Sequence, residues 1–335
     1  MDKQANAPAV AVVIPYYQRE PGILRRAVQS ILGQDYHASL HLIIVDDASP
    51  HPAKTELAEV AMPAHIHLRI LTQANAGPGA ARNRGMDEAR SLGADIVAFL
   101  DSDDSWTPDH LGRGVAAMHA GFDIYVANWR LFGRDEDAHR ARAMIDARAA
   151  APGALADTLV LTCPFLEQQL RGPIMKLSSL VFRPARFADP RFRSDLRHAS
   201  EDNILAFELA LFDPKVLVST RIEVITGHGV NIYESAAWGT LARHQVFLDQ
   251  LRAMRLAARL VRQRPDARQA VAAQRRRLRR SAVEHLLYMF GKKGARHWRP
   301  MISLCRADPR VPMAAPAAML AIMGKWLRRA GQRLA

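Results

Sequence analysis

Along the first hundred residues the apolar pattern changes period again and again. "AVAVVIP" (residues 9–15) is a β-branched run closed by proline, the composition of a buried strand. After Pro21 and Gly22, apolar residues recur at Ile23, Leu24, Ala27, Val28, Ile31 and Leu32, one face of a helix. "HLIIVDD" (41–47) predicts a second strand, residues 53–61 a short helix, and "IHLRILTQ" (66–73) a third strand. "GAARNRGMDEARSLG" reads as a helix stopped by Gly93, and "DIVAFLD" (95–101) as a fourth strand. Strand followed by helix, repeated, predicts an α/β fold with a mostly parallel sheet covered on both faces.

That topology predicts a site. Ligands of open α/β sheets bind at the carboxyl ends of the strands. Three polar stretches fall there: "PYYQRE", "DDAS" and "DSDD". Pro15, Tyr17, Asp47, Asp101, Asp103 and Asp104 should therefore meet along one edge. The third stretch is the most demanding, with three carboxylates in four positions. Two unit charges about 4 Å apart repel by roughly 4 kcal/mol at an effective dielectric near 20. A turn leading into a helix cap is one reading. However, Thr107, Pro108 and Asp109 already supply a cap, a first-turn proline and a first-turn acid. A divalent cation is the other reading, since Mg²⁺ or Mn²⁺ takes one or two carboxylates plus substrate phosphates. Spacing alone leaves both open. An EF-hand starting at Asp101 would need glycine and glutamate where Trp106 and Gly112 stand. A Gly-Lys-Ser/Thr phosphate loop is absent from the sequence, and Arg82 occupies the third-glycine position of a dinucleotide fingerprint. A metal-dependent phosphatase remains a rival, although its Asp-x-Asp normally follows the first strand.

The chain has 335 residues, 49% of them apolar, enough for two associated lobes and a tail. Its two cysteines, Cys163 and Cys305, lack Cys-x-x-Cys spacing, which argues against a disulfide framework or zinc site and for a reducing compartment. The sequence shows neither a signal peptide nor an apolar run long enough to span a bilayer. A net charge of +13 predicts an acidic partner: phosphates, nucleic acid or an anionic membrane face.

"VVIPYYQRE", "LIIVDDAS", "NAGPGAARNRGMDEA" and "IVAFLDSDDSWTPDHL" resemble the successive motifs of family 2 glycosyltransferases, which have the GT-A fold. The likeness resumes at "KLSSLVFRPARF" and "SEDNILAFELAL". The opening stretch is similar to bacterial exopolysaccharide glucosyltransferases of the succinoglycan type. Gln18 and "ADPRF" depart from the family pattern. The resemblance implies inverting transfer of a sugar, glucose from UDP-glucose, to a saccharide acceptor, with Mn²⁺ or Mg²⁺ as cofactor. It implies that Asp47 contacts uracil between Pro15 and Tyr17, while Asp46 is structural. Asp101 would touch ribose, and Asn75 and Arg82 would lie beside the nucleotide. Asp103, with Asp104, would hold the metal, and His228 would reach the metal or diphosphate. Without the resemblance, Glu201 and Asp202 read as first-turn acids behind a Ser200 cap. With it, Asp202 is the general base and Glu201 positions the acceptor.

These motifs divide the chain into a nucleotide-sugar half (1–130), an acceptor half (131–240) and a basic helical region (241–335). In the last, Leu248, Leu251, Met254, Leu256 and Leu260 share a helix face opposite arginines. Nucleic-acid binding is a rival, but aromatic residues are not interleaved with the arginines, so no nucleic-acid partner is expected. Near the end, Met319, Leu320, Ile322, Met323, Trp326 and Leu327 beside Lys325, Arg328 and Arg329 suit an interfacial helix on an anionic membrane. The expected location is the inner face of the cytoplasmic membrane, with a lipid-linked acceptor; oligomerisation is left open.

Overall fold

The computed structural model describes residues 8–131, 133, 136–141, 144–146, 149–229, 236–293 and 298–323. The expected first half is present: β1 (Val10–Tyr16), α1 (Ile23–Leu32), β2 (Leu40–Asp46), α2 (Ala53–Glu56), β3 (Ile66–Thr72), α3 (Pro78–Ser91) and β4 (Ile96–Phe99). β1 pairs in parallel with β2 and β4, and β2 with β3. β1 is buried throughout, as its unbroken apolar run requires. α3 lies close on β1 because residue 85 is glycine. A Cβ there would sit 2.3 Å from Val13 Cγ1. That close seating fixes Arg82, one turn earlier on α3.

The helix expected over 53–61 is a single turn. Beyond Leu57 the bonds shorten to i→i−3, from Ala58 N–H to the Thr55 carbonyl and from Val60 N–H to Leu57. The expected Thr107 cap is also absent. Its hydroxyl donates to Asp109 Oδ1 at 2.8 Å instead of accepting a helix N–H.

Next come β5 (Ser105–Trp106), α4 (His110–His119), β6 (Ile124–Arg130), α5 (Ala138–Ala141), β7 (Ala150–Pro152), β8 (Thr158–Leu161), α6 (Phe165–Arg171), β9 (Leu180–Phe182), α7 (Glu201–Ala210) and β10 (Val216–Ile225). The sheet order is β3-β2-β1-β4-β9-β6-β10-β8-β7, with β5 on β10. β9 runs antiparallel between β4 and β6, so the sheet is mixed. β6 and β10 are again parallel.

The chain divides into two compact units, Met1–Asp195 with Glu201–Val230, and Leu196–Ser200 with Asn231–Ala335. The first holds the sheet. The second holds α8 (Leu241–Leu260), α9 (Pro265–Lys293) and α10 (Trp298–Ala307). Leu248 and Leu251 enter its core with Phe247, Val283, Leu286 and Leu304. Met254, Leu256 and Leu260 are half-buried. Some arginines of this basic region turn inward: Arg279 Nε and Arg275 Nη2 donate to Asp308 at 2.8 and 2.9 Å.

Candidate active site

Asp46 and Asp47, at the carboxyl end of β2, do separate work. Asp46 accepts the backbone N–H groups of Ser49 and Ala53, each at 2.8 Å, and fixes its own loop. Asp47 is buried and accepts Gln73 Nε2 at 2.7 Å and the N–H groups of Ala76 and Gly77 at 2.8 and 2.9 Å. Asn75 Nδ2 donates to the Asp47 carbonyl at 3.1 Å. A carboxylate offers about four acceptor sites, and these bonds occupy three of them. Asp47 thus ties the end of β2 to the turn that opens α3. The residue after it, Ala48, is held at φ +57°, a region costly for a side chain with a Cβ. Pro15 is buried in β1 and Tyr17 half-buried just beyond it.

The "DSDD" turn follows β4 and closes on itself, Asp104 N–H to the Asp101 carbonyl at 3.0 Å. Its three carboxylates have three different surroundings. Asp101 accepts Arg82 Nη2 at 2.7 Å. Burial alone would raise its pKa, but Arg82 and then Lys176 outweigh burial and hold it below the usual range. Asp104 is 1% exposed. One of its oxygens takes the Lys176 ammonium and the Ser178 hydroxyl in close contacts, the other the Gly227 N–H at 3.3 Å. The Asp103 carboxylate receives no hydrogen bond from a described side chain. Burial first, then Asp101 and Asp104, push it up to about 7.

The stretch after β10 returns to this turn. A Cβ on Gly227 would lie 1.9 Å from the Asp103 carbonyl oxygen, and one on Gly229 only 2.4 Å from Asp103 Cβ. Glycines are required at both places because the two backbones touch. They bring the exposed His228 beside Asp103. Arg26 Nη2 clasps both, at 2.7 Å from the Asp103 carbonyl and 3.4 Å from that of His228.

Arg82 is the joint of the site. It is 5% exposed, stacks its guanidinium 5.4 Å from the Phe192 ring centroid, and donates by Nη1 to Glu201 Oε1 at 3.0 Å while holding Asp101 by Nη2. The carboxylate end of β4 and the start of α7 are thus linked by one buried fork. Glu201 is pushed up to about 7 by burial and then by Asp202, with Arg82 opposing. Asp202 is also raised, by burial, although it accepts the Asn203 N–H at 2.7 Å. Ser200, expected to cap α7, has φ +72°, which is not the extended geometry of an ordinary N-cap.

The sequence-predicted residues Asp101, Asp103, Asp104, Arg82, Glu201 and His228 fall into one contact network. Pro15, Tyr17 and Asp47 lie at the adjoining ends of β1 and β2, and Asn75 lies in the loop between β3 and α3. Lys176, Ser178 and Arg26 were not anticipated. Lys176 and Ser178 stand in "KLSSLVFRPARF", where a lysine ahead of two serines carries no chemical signature of its own.

The donor set around Asp103 suits a shared cation. Among the described residues no group of three or more His, Cys, Asp or Glu could hold a metal unaided. One carboxylate in negative surroundings nevertheless fits the mode in which Mg²⁺ or Mn²⁺ takes its remaining ligands from phosphates and water.

Comparison with known proteins identifies the family and the fold. Residues 11–168 match the model of glycosyl transferase family 2. The succinoglycan biosynthesis protein ExoW of Rhizobium meliloti (strain 1021) is 35% identical over 230 residues, 68% of this chain and 71% of that protein. Among solved structures, the S. aureus TarS 1–349 fragment in complex with UDP-GlcNAc has a TM-score of 0.58 at 18% identity, covering 92% of this chain and 82% of that one. Mannosyltransferase PcManGT from Pyrobaculum calidifontis, in complex with GDP-Man and Mn²⁺, has a TM-score of 0.54 at 18% identity, covering 97% and 88%. These likenesses show the GT-A glycosyltransferase fold, with its helix-flanked mixed sheet and added C-terminal helices. An ordered set of strand-end carboxylates, a matching family model and a relative aligned over most of both chains lead to one assignment: the chain belongs to glycosyltransferase family 2.

Proposed function

We propose that the chain transfers a sugar with inversion, glucose from UDP-glucose, to a lipid-linked saccharide in exopolysaccharide or other cell-surface polysaccharide synthesis. The observation that carries this reading is the Arg82 fork, which joins Asp101 on the donor side to Glu201 on the acceptor side. The relative ExoW, named for succinoglycan biosynthesis, and the UDP-GlcNAc bound by the TarS fragment support the product class and the donor nucleotide. On this reading residues 1–130 serve the donor and 131–240 the acceptor.

The residues have separable tasks. Tyr17 and Pro15 frame the base, and Asp47 uses its remaining acceptor site on the uracil N–H. Asn75 holds the base-side turn. Asp101, oriented by Arg82, meets the ribose. Asp103 holds the divalent cation with His228 nearby, and Asp104 anchors the turn through Lys176 instead of ligating. When bound, Mn²⁺ or Mg²⁺ supplies charge to the departing diphosphate. Asp202 removes the acceptor hydroxyl proton on the face opposite that leaving group, and its raised pKa suits a base. Glu201 orients the acceptor.

A panel of nucleotide sugars, scored for hydrolysis with Mn²⁺, Mg²⁺ or EDTA, tests this reading. UDP-glucose should turn over with metal and stall with EDTA. Turnover of simple phosphate esters in place of every nucleotide sugar would favour a phosphatase.

We also propose that the second unit rests on an anionic membrane face. No described helix is long and apolar enough to cross a membrane. Residues 315–323 are helical, and residues 311–323 include no polar side chain. Val311 and Ala318 are buried, while Met313, Met319, Leu320 and Met323 are exposed. A helix apolar all round needs cover on its outer side, and an interfacial bilayer region offers it. Trp326, Leu327, Lys325, Arg328 and Arg329 lie outside the described residues. Deleting residues 311–335 should leave donor hydrolysis intact and lower sedimentation with phosphatidylglycerol vesicles. Equal vesicle binding by both chains at matched ionic strength would count against membrane docking.

A further inference from the structure

The three carboxylates of the "DSDD" turn do not face a future cation alone. Arg82 neutralises Asp101. Lys176, with a side chain only 21% exposed, is bound to Asp104. Burial would lower its pKa, yet Asp104 and Asp101 outweigh burial and keep it charged. Ser178 and the Gly227 N–H complete the shell of Asp104. Asp103 is left as one carboxylate without a described side-chain donor, in a turn whose other charges are already paired.

We infer that Lys176 is a resident counter-ion that keeps the free protein's affinity for divalent cations low, so that the cation enters with the nucleoside diphosphate and not before it. The inference rests on the reading of this edge as a diphosphate site. A dication approaching Asp103 meets the ammonium of Lys176 as a like charge, and Asp104, committed to three donors, cannot turn to ligate it. One carboxylate is a poor site for a hard cation. A diphosphate adds oxygen ligands and negative charge together, which offsets the lysine. Cation and nucleotide then tighten each other's binding equally, as reciprocal coupling demands. Lys176 acts through Asp104 and the local charge, so it is a positioning residue.

A strut and a counter-ion predict opposite results on removal. Losing a strut weakens every ligand, whereas losing the counter-ion strengthens the cation alone. The test is a Mn²⁺ titration of the full chain followed by electron paramagnetic resonance, with and without saturating UDP, on wild type, Lys176→Met and Lys176→Arg. Wild type should bind Mn²⁺ at least tenfold more weakly without UDP than with it. Lys176→Met should bind Mn²⁺ alone at least tenfold more tightly than wild type, and its melting temperature should rise with Mn²⁺ alone. Lys176→Arg should follow wild type. The inference is overturned if wild type binds Mn²⁺ equally well with and without UDP, a comparison that needs no variant. It is also overturned if a cooperatively melting Lys176→Met gains no Mn²⁺ affinity. A wild type that binds no UDP even with Mn²⁺ removes the diphosphate reading, and this inference with it.

Discussion

Asp202→Asn should lower turnover on the order of 10²-fold or more, the scale of a lost general base, while UDP and UDP-sugar bind with nearly wild-type affinity. The substitution keeps size and shape at the first turn of α7. On the proposed reading it removes the group that takes the acceptor proton, whereas the proposed donor contacts come from the strand ends on the other side of Arg82. The pH profile carries a second signature. Asp202 is raised above the ordinary carboxylate range by burial. A base must be ionised to work, so the wild-type rate should climb with pH through a limb displaced upward from that range. The variant should lack that limb. Titration calorimetry with UDP and a single-turnover assay measure the two arms, and a variant with near-normal turnover would move the base to Glu201.

Arg82→Met should damage folding and activity together. Arg82 is the cation of two partly buried pairs, with Asp101 at 2.7 Å and Glu201 at 3.0 Å. Removing one partner of a buried pair costs about 3–5 kcal/mol because the charge left behind has lost its compensation. Here two carboxylates are left behind, Asp101 and Glu201. Stability should recover on acidification, since protonating them relieves the repulsion. Arg82→Lys can reach one carboxylate at a time, lacking the planar fork. It should therefore keep most of the stability and lose turnover. Urea unfolding at neutral and mildly acidic pH measures the first effect. An Arg82→Met chain as stable as wild type would show that the fork is not a joint of the site.

Much of this site could be read in the sequence because its residues sit where the period of the apolar pattern breaks. A run such as "IVAFLD" must end at the sheet edge, so Asp101 and its neighbours fall where ligands of such sheets bind. Asp103 and Asp104 looked alike in the sequence, and the structure separates them through Lys176, a partner 72 residues away. Arg82 read only as a residue beside the nucleotide because its partners come from 19 and 119 residues further along. The need for Gly227 and Gly229 is not legible in the sequence, because it arises only when two backbones meet. The antiparallel insertion of β9 was hidden for a different reason, since a three-residue strand is too short to set a period. Ser200 failed as a cap because the chain enters α7 in a left-handed turn.

The proposed reaction is a single-displacement transfer from a UDP-sugar, with one base opposite the leaving group. The anomer first released when water replaces the acceptor tests it most directly. With α-linked UDP-glucose and Mn²⁺, proton NMR recorded before mutarotation should show β-glucose appearing first and metal removal abolishing it. α-Glucose as the first product would mean retention and would rule out the single displacement.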